Sequence, residues 1–285
     1  MKIVNDPKKM ASAIKKERVG GKSIGFVPTL GFLHEGHEAL MRKARLENDV
    51  LAVSRFVNPL QFRAKAFKLY PRDFERDAAI CRRNGVDYLF SPGVEDMYPD
   101  GFDSFVEVEN LTGRLEGAKI RWHYRGVTTV VAKLFNIVSP DKAYFGKKDA
   151  HQVAILKRMV ADLNFQVKIV PVSTRRDKDG LALSSRNSLL SDEERIAAKV
   201  IPDSINAIAA KIKLGRDSRR QLAVLLKRLI ENEPLAKVDY CAIVDADSLR
   251  EDVLGDSTMI YAAVFIGGKR LTDNLVIPNP KPHAR

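Results

Sequence analysis

At 285 residues the chain can form one large domain or two smaller ones and bury a core without staples, and two domains are expected. Its 45% hydrophobic and 29% charged residues are those of an ordinary soluble protein, with no apolar run near the roughly 20 residues of a membrane span, so no membrane partner is expected. A formal net charge of +12 admits nucleic acid, an acidic surface or a phosphorylated substrate. The basic residues, however, are spread along the chain in pairs such as Lys8-Lys9, Lys147-Lys148 and Arg175-Arg176, without a helix-turn-helix or RNA-binding aromatic pattern, and nucleic acid is not expected. Cys81 and Cys241 need no disulfide and no basic-then-apolar leader opens the chain, which predicts a cytoplasmic protein.

Up to Val172 short apolar runs alternate with amphipathic stretches. A strand is predicted over 24–28. It runs into Pro28-Thr29-Leu30-Gly31-Phe32-Leu33 and then His34-Glu35-Gly36-His37, which opens a helical pattern over 37–48. Strands over 50–57, 88–91, 142–145 and 167–172 then alternate with helices over 72–84, 128–138 and 150–164. This is the pattern of an α/β fold, a Rossmann-like parallel sheet whose right-handed crossovers bring every strand's carboxyl end to one edge, where ligands bind. After Val172 a polar stretch over 173–179, followed by Gly180-Leu181-Ala182-Leu183-Ser184-Ser185-Arg186-Asn187, marks a boundary. The expected domains are therefore 1–174 and 175–285. In the second, Ser191 and Glu194 have capping-box spacing, Pro202 should kink or divide the helical segment, a helix is predicted over 219–232, and strands over 238–244 and 259–266 complete a small α+β domain.

The junction at 24–37 carries the most chemistry. The first turn of a helix has unpaired N–H groups and a partial positive charge, so it accepts a phosphate. His34 and His37, three apart, lie on one helical face and can address the same anion, and Gly36 lets a ligand approach the backbone. The residues alone leave two other readings open: ordinary surface histidines at a helix start, or two ligands of a metal. His123, His151 and His283 are isolated, and no Cys-x-x-Cys or HExxH spacing supplies the remaining ligands of a zinc site.

Taken together, His34-x-Gly36-His37 and Leu183-Ser184-Ser185-Arg186 resemble the paired signatures of the HxGH nucleotidylyltransferase superfamily. Further matches are Phe56-Val57-Asn58-Pro59-Leu60-Gln61-Phe62, Tyr70-Pro71-Arg72, Met97-Tyr98-Pro99-Asp100-Gly101, Leu115-Glu116-Gly117, Lys133-Leu134-Phe135-Asn136, Phe145-Gly146-x-Lys148-Asp149 and Asp179-Gly180-Leu181-Ala182. In this order they resemble the pantothenate synthetase family over nearly the whole chain. The resemblance implies a homodimer with a nucleotide-binding N-terminal domain and a smaller C-terminal lid, joining pantoate to β-alanine with ATP through a pantoyl adenylate. The alternative is another nucleotidylyl transferase with a different acceptor.

Carried to this sequence, the family's catalytic positions are His34, His37, Lys148, Ser184, Ser185 and Arg186. ATP contacts are implied at Pro28, Thr29, Leu30, Gly31, His34, Gly36, His37, Gly146, Lys147, Lys148, Asp149, Arg175, Leu183, Ser184, Ser185 and Arg186. Gln61, Gln152 and Asn58 are implied for pantoate and β-alanine. Mg²⁺ is expected with ATP, and the sequence names no protein ligand for it. Departures from the family pattern cluster near these positions. Leu30 and Leu183 replace methionines, Lys147 an acidic residue, His151 a glutamine and Trp122 a small residue, while Arg175 stands where an apolar side chain usually meets adenine. Lys147 and His151 make the expected site more basic.

Overall fold

The computed structural model describes residues 1–214, 217–253 and 255–279, the side chains of Ser185 and Arg186 excepted. Two compact units divide the chain: residues 1–146 with 155–172, and residues 147–154 with 173–285. The sequence reading kept 147–154 in the first domain; in the structure these residues cluster with the second unit.

The first unit is a parallel six-stranded sheet. Its elements are β1 (Lys2–Val4), α1 (Pro7–Val19), β2 (Ile24–Thr29), α2 (Glu35–Glu47), β3 (Val50–Arg55), α3 (Ala64–Leu69), α4 (Phe74–Arg83), β4 (Tyr88–Phe90), α5 (Val94–Met97), α6 (Glu109–Thr112), α7 (Gly117–Val138), β5 (Lys142–Gly146), α8 (Ala150–Asp162), whose first turns belong to the second unit, and β6 (Lys168–Val172). The order β1-β4-β3-β2-β5-β6 has its crossover at β2, which pairs with β3 and β5. Loops leaving the carboxyl ends of β2 and β3 are neighbours, because Thr29 and Arg55 are partners in the register. Strands of a parallel sheet are covered on both faces and read as continuous apolar runs, and Phe26, Val27, Leu51, Val53, Leu89 and Phe90 are all fully buried here.

Sequence periodicity marked neither β1 nor α1. β1 is a three-residue edge strand with a largely exposed pattern, and α1 buries only Met10 and Ile14, too few to give a helical stripe. Helix α7 starts at Gly117 rather than at 128, with a non-helical Ile120 (φ −136°, ψ 44°) inside it. Its first half is weak in apolar period, and Thr128 donates back to the Tyr124 carbonyl at 2.9 Å.

In the second unit α9 (Asp192–Ala198), α10 (Val200–Leu214) and α11 (Arg219–Glu231) lie with an antiparallel sheet, β7 (Ala236–Asp245), β8 (Ser257–Ile266) and β9 (Lys269–Pro278). The Ser191–Glu194 capping box is present, with reciprocal bonds of 2.8 and 3.2 Å. The expected division at Pro202 falls earlier, at Lys199, so that Pro202 sits in the first turn of α10, where a missing N–H costs nothing. Strand β9 went unmarked because Asp273 and Asn274 interrupt its apolar alternation, although the Gly267-Gly268 turn before it is a hairpin signal.

Candidate active site

The loop after β2 is held in an unusual backbone path. Gly31 (φ 85°) and Phe32 (φ 51°) are both left-handed, a conformation that costs a non-glycine residue about 1–2 kcal/mol. The compensation comes from Asp77 on α4, which is fully buried and accepts from Phe32 N at 2.9 Å, Leu33 N at 2.8 Å and Arg55 Nε at 2.8 Å. Thr29 adds a second tether: its Oγ1 donates to the Ser54 carbonyl at 2.6 Å and accepts from Gly31 N at 3.1 Å. Pro28 and Leu30 are half-buried beside them.

This loop delivers His34 as the N-cap of α2, whose first residue, Glu35, lies two residues ahead of the predicted helix start. Its Nδ1 accepts from Gly36 N at 3.1 Å, and Nδ1 of His37 accepts from His34 N at 3.2 Å, so the two histidines form a reciprocal capping box. A backbone N–H can only donate, so both Nδ1 atoms are acceptors and each neutral ring carries its proton on Nε2. The rings lie 4.1 Å apart, tilted by 44°. Two N–H donors on one face of a helix N-terminus suit an anion. Behind them Glu38 is buried and held low in pKa by its bonds to Arg83 (2.6 Å) and Asn84 (3.0 Å), so its charge is matched on the protein side.

The loop after β3 forms a 3₁₀ turn, Pro59–Gln61, capped by Asn58. Asn58 is fully buried and uses its whole side-chain capacity: Oδ1 accepts from Leu60 N (3.2 Å) and Tyr98 Oη (2.8 Å), and Nδ2 donates to Gln61 Oε1 and the Gly126 carbonyl (both 2.9 Å). Asn58, expected at the pantoate pocket, directly supports Gln61. His123 Nδ1 lies 2.8 Å from the Gln61 carbonyl, and exposed Trp122 meets His123 edge-on. Tyr98, Phe102 and Phe105 continue as an aromatic cluster, with Lys133 Nζ 4.8 Å from the Phe102 ring centre and depressed in pKa by burial.

In the first unit, then, the histidine pair and the Asn58–Gln61 group leave adjacent strands at one sheet edge, where β5 also ends, at Gly146. The second unit carries the other positions. Lys147, Lys148 and Asp149 form a 3₁₀ turn tied to β9 by Asn274 Nδ2, which donates to the Lys148 carbonyl at 2.5 Å. Gln152 is half-buried on α8 and His151 is 2% exposed, so the extra imidazole adds no basic surface. The 175–183 hairpin is braced by Arg176, which pairs with Asp273 through two bonds of 2.7 and 3.0 Å, and by Leu183 N, which donates to the Arg175 carbonyl at 3.0 Å. The Arg175 side chain is exposed, and Leu183 and Ser184 are half-buried at the hairpin's end. The side chains of Ser185 and Arg186 lie outside the described residues.

Sequence reading assigns no role to Asp77, Arg55, Gly126 or Asn274, nor to Tyr98 beyond its place in a family motif, and all five act by holding other groups. Asp77 left a trace: a carboxylate on the buried face of α4, beside Ala78 and Cys81. Among the described residues no three His, Cys, Asp or Glu side chains converge as metal ligands, and the Asp77 oxygens are engaged by two N–H groups and Arg55. The protein offers Mg²⁺ no cage of its own among those residues. No helix among the described residues is long and apolar enough to cross a membrane.

Residues 2–276 match the model of the family described as pantoate-beta-alanine ligase. A pantothenate synthetase of Caldicellulosiruptor saccharolyticus is 45% identical over 97% of this chain and 99% of its own, and one of Syntrophotalea carbinolica is 48% identical over 96% and 98%. Among solved structures, the pantothenate synthetase of Thermus thermophilus superposes with a TM-score of 0.85 at 42% identity, covering 96% of this chain and 99% of that one. The Francisella tularensis pantoate-beta-alanine ligase, solved with beta-gamma ATP and beta-alanine, gives 0.74 at 34% identity over 97% of each chain. With the parallel sheet, the small antiparallel sheet and the His34-x-Gly36-His37 helix start in place, the chain belongs to the pantoate-beta-alanine ligase family and is a ligase of pantothenate synthesis.

Proposed function

We propose that the chain binds MgATP, pantoate and β-alanine and works in two steps. A pantoate carboxylate oxygen attacks the α-phosphorus and the α–β P–O bond breaks, giving pantoyl adenylate and pyrophosphate. The β-alanine amine then attacks the acyl carbon, the C–O bond to AMP breaks, the nitrogen loses a proton, and pantothenate and AMP leave. The protein's part is mainly placement and charge stabilisation, and placement alone can supply about 7–11 kcal/mol of a barrier.

His34 and His37 donate hydrogen bonds from Nε2 to the phosphates, with His37 stabilising the charge on the departing pyrophosphate oxygen. Lys148, with Ser184, Ser185 and Arg186, supplies further donors to the triphosphate, and Pro28, Thr29, Leu30, Gly31, Gly36, Gly146, Lys147, Asp149, Arg175 and Leu183 line the nucleotide. Gln61 and Gln152 hold pantoate. Residues 1–174 are read as the nucleotide-binding domain and 175–285 as a lid that shields the adenylate from water. The enzyme is read as a cytoplasmic homodimer, and Mg²⁺ would enter with ATP and neutralise charge on the triphosphate.

The observation that carries this reading is the pair of caps that puts both imidazole protons on Nε2 at the start of α2. Pantoate labelled with ¹⁸O in its carboxylate tests it. The adenylate route puts one ¹⁸O into the AMP formed; unlabelled AMP accompanying labelled pantothenate would remove the adenylate from the mechanism.

A further inference from the structure

The hydrogen-bonded chain Tyr98–Asn58–Gln61 has a polarity dictated by the backbone. An asparagine amide has acceptor positions on Oδ1 and two N–H donors on Nδ2. Leu60 N can only donate, and it meets Oδ1 at 3.2 Å; the Gly126 carbonyl can only accept, and it meets Nδ2 at 2.9 Å. Those two groups fix which end of the Asn58 amide is oxygen. The Tyr98 hydroxyl, 2.8 Å from Oδ1, is therefore a donor, and burial pushes its pKa up so that the proton stays in place. The Gln61 atom 2.9 Å from Nδ2 is in turn the carbonyl Oε1, which leaves the NH₂ as the opposite end of that amide.

The relay is rigid as well as polar. The Tyr98 ring packs 4.9 Å from Phe102 and 6.0 Å from Phe56, so the hydroxyl is delivered from a fixed ring, and His123 holds the Gln61 backbone from the other side at 2.8 Å. Gln61 itself is only 8% exposed. We propose that Tyr98 and Asn58 are positioning residues that make Gln61 a dedicated hydrogen-bond donor, so that the acid substrate must offer it an acceptor oxygen, from a carboxylate or a hydroxyl. This rests on the reading of Gln61 as a pantoate contact. A hydroxy acid satisfies the requirement, whereas an acid bearing an ammonium or amide N–H at that point sets donor against donor and leaves both without a partner.

Steady-state kinetics on the full chain, varying each of the three substrates, tests the polarity. Gln61→Glu keeps the size and an oxygen for Asn58 Nδ2 but turns the NH₂ end into an acceptor. It is expected to raise the pantoate KM above that of Gln61→Ala by about tenfold or more, because like polarity repels where truncation merely removes a bond. Tyr98→Phe keeps the ring and is expected to raise the pantoate KM about three- to tenfold, the scale of one neutral hydrogen bond, with kcat and the ATP KM unchanged. A Gln61→Glu enzyme as good as the parent would show that the carbonyl end does the binding and overturn the proposal, as would a Tyr98→Phe enzyme with an unchanged pantoate KM. A Tyr98→Phe enzyme in which all three KM values and the melting temperature deteriorate together would reduce Tyr98 to a structural residue. If Gln61→Ala leaves the pantoate KM untouched, the reading of Gln61 itself fails, an outcome distinct from the others.

Discussion

Replacing Gly126 by alanine is expected to damage both stability and pantoate use. A Cβ at Gly126 would stand 2.3 Å from the Leu60 carbonyl oxygen, 2.6 Å from its carbon and 3.1 Å from Gln61 N. Restoring an ordinary contact of about 3.3 Å requires α7 and the 59–61 turn to part by about 1 Å, at an overpacking cost of about 1–3 kcal/mol. The same movement stretches the 2.9 Å bond from Asn58 Nδ2 to the Gly126 carbonyl beyond hydrogen-bonding range, which adds about 1–3 kcal/mol for the buried groups left unpaired. The sum is about 2–6 kcal/mol of stability. Gln61 moves with the turn, and a displacement of about 1 Å in a positioned contact can cost about 100-fold in rate. Calorimetric melting and kcat/KM for pantoate measure the two effects, with Gly113→Ala as the control, since its Cβ would meet nothing nearer than 3.7 Å. If Gly126→Ala melts and turns over like Gly113→Ala, the close approach of α7 to the turn plays no part in holding Gln61.

Other expectations come from the same contacts. Asp77→Asn puts an NH₂ against Phe32 N or Leu33 N and removes the charge that Arg55 neutralises; it is expected to cost about 3–5 kcal/mol in thermal unfolding and to lower kcat, and a variant of unchanged stability would mean the left-handed loop holds itself. His37→Ala removes both the cap on His34 N and the Nε2 donor, so pyrophosphate release is expected to fall about 100- to 1,000-fold; His37→Gln restores an acceptor for the cap, and full recovery of rate with it would argue against a specific imidazole role. Glu47 is held at about 2 by Lys43 and by the Tyr144 hydroxyl, against the usual 4.5. Its folded pKa is depressed, so its stabilisation is complete above pH 4.5 and lost as pH falls toward 2. The gap in unfolding midpoint between the parent and Glu47→Gln should close over that window; a gap independent of pH would contradict the assignment.

Much of the fold was legible because buried parallel strands announce themselves as apolar runs, and because Ser191 and Glu194 spell out a helix start. Edge elements were not: β1 and α1 bury too little to leave a period, and β9 carries Asp273 and Asn274 for jobs done inward, pairing with Arg176 and tying down the Lys148 turn. At the site, the histidine spacing points to the helix start but not to each imidazole accepting from a backbone N–H of that start, which depends on how Asp77 bends residues 31–33 from forty-odd positions away. The roles of Tyr98, quoted only as part of a family motif, and of Gly126 were hidden for a similar reason. Their partners, Asn58 and Leu60, are distant in sequence, and a glycine required by close approach looks like any other until its neighbour is known.

The most direct test is product analysis by mass spectrometry after purified protein is mixed with ATP, Mg²⁺, pantoate and β-alanine, each omitted in turn. The account predicts pantothenate and AMP only in the complete mixture. A folded protein that forms neither, or that forms pantothenate with ADP rather than AMP, would contradict it.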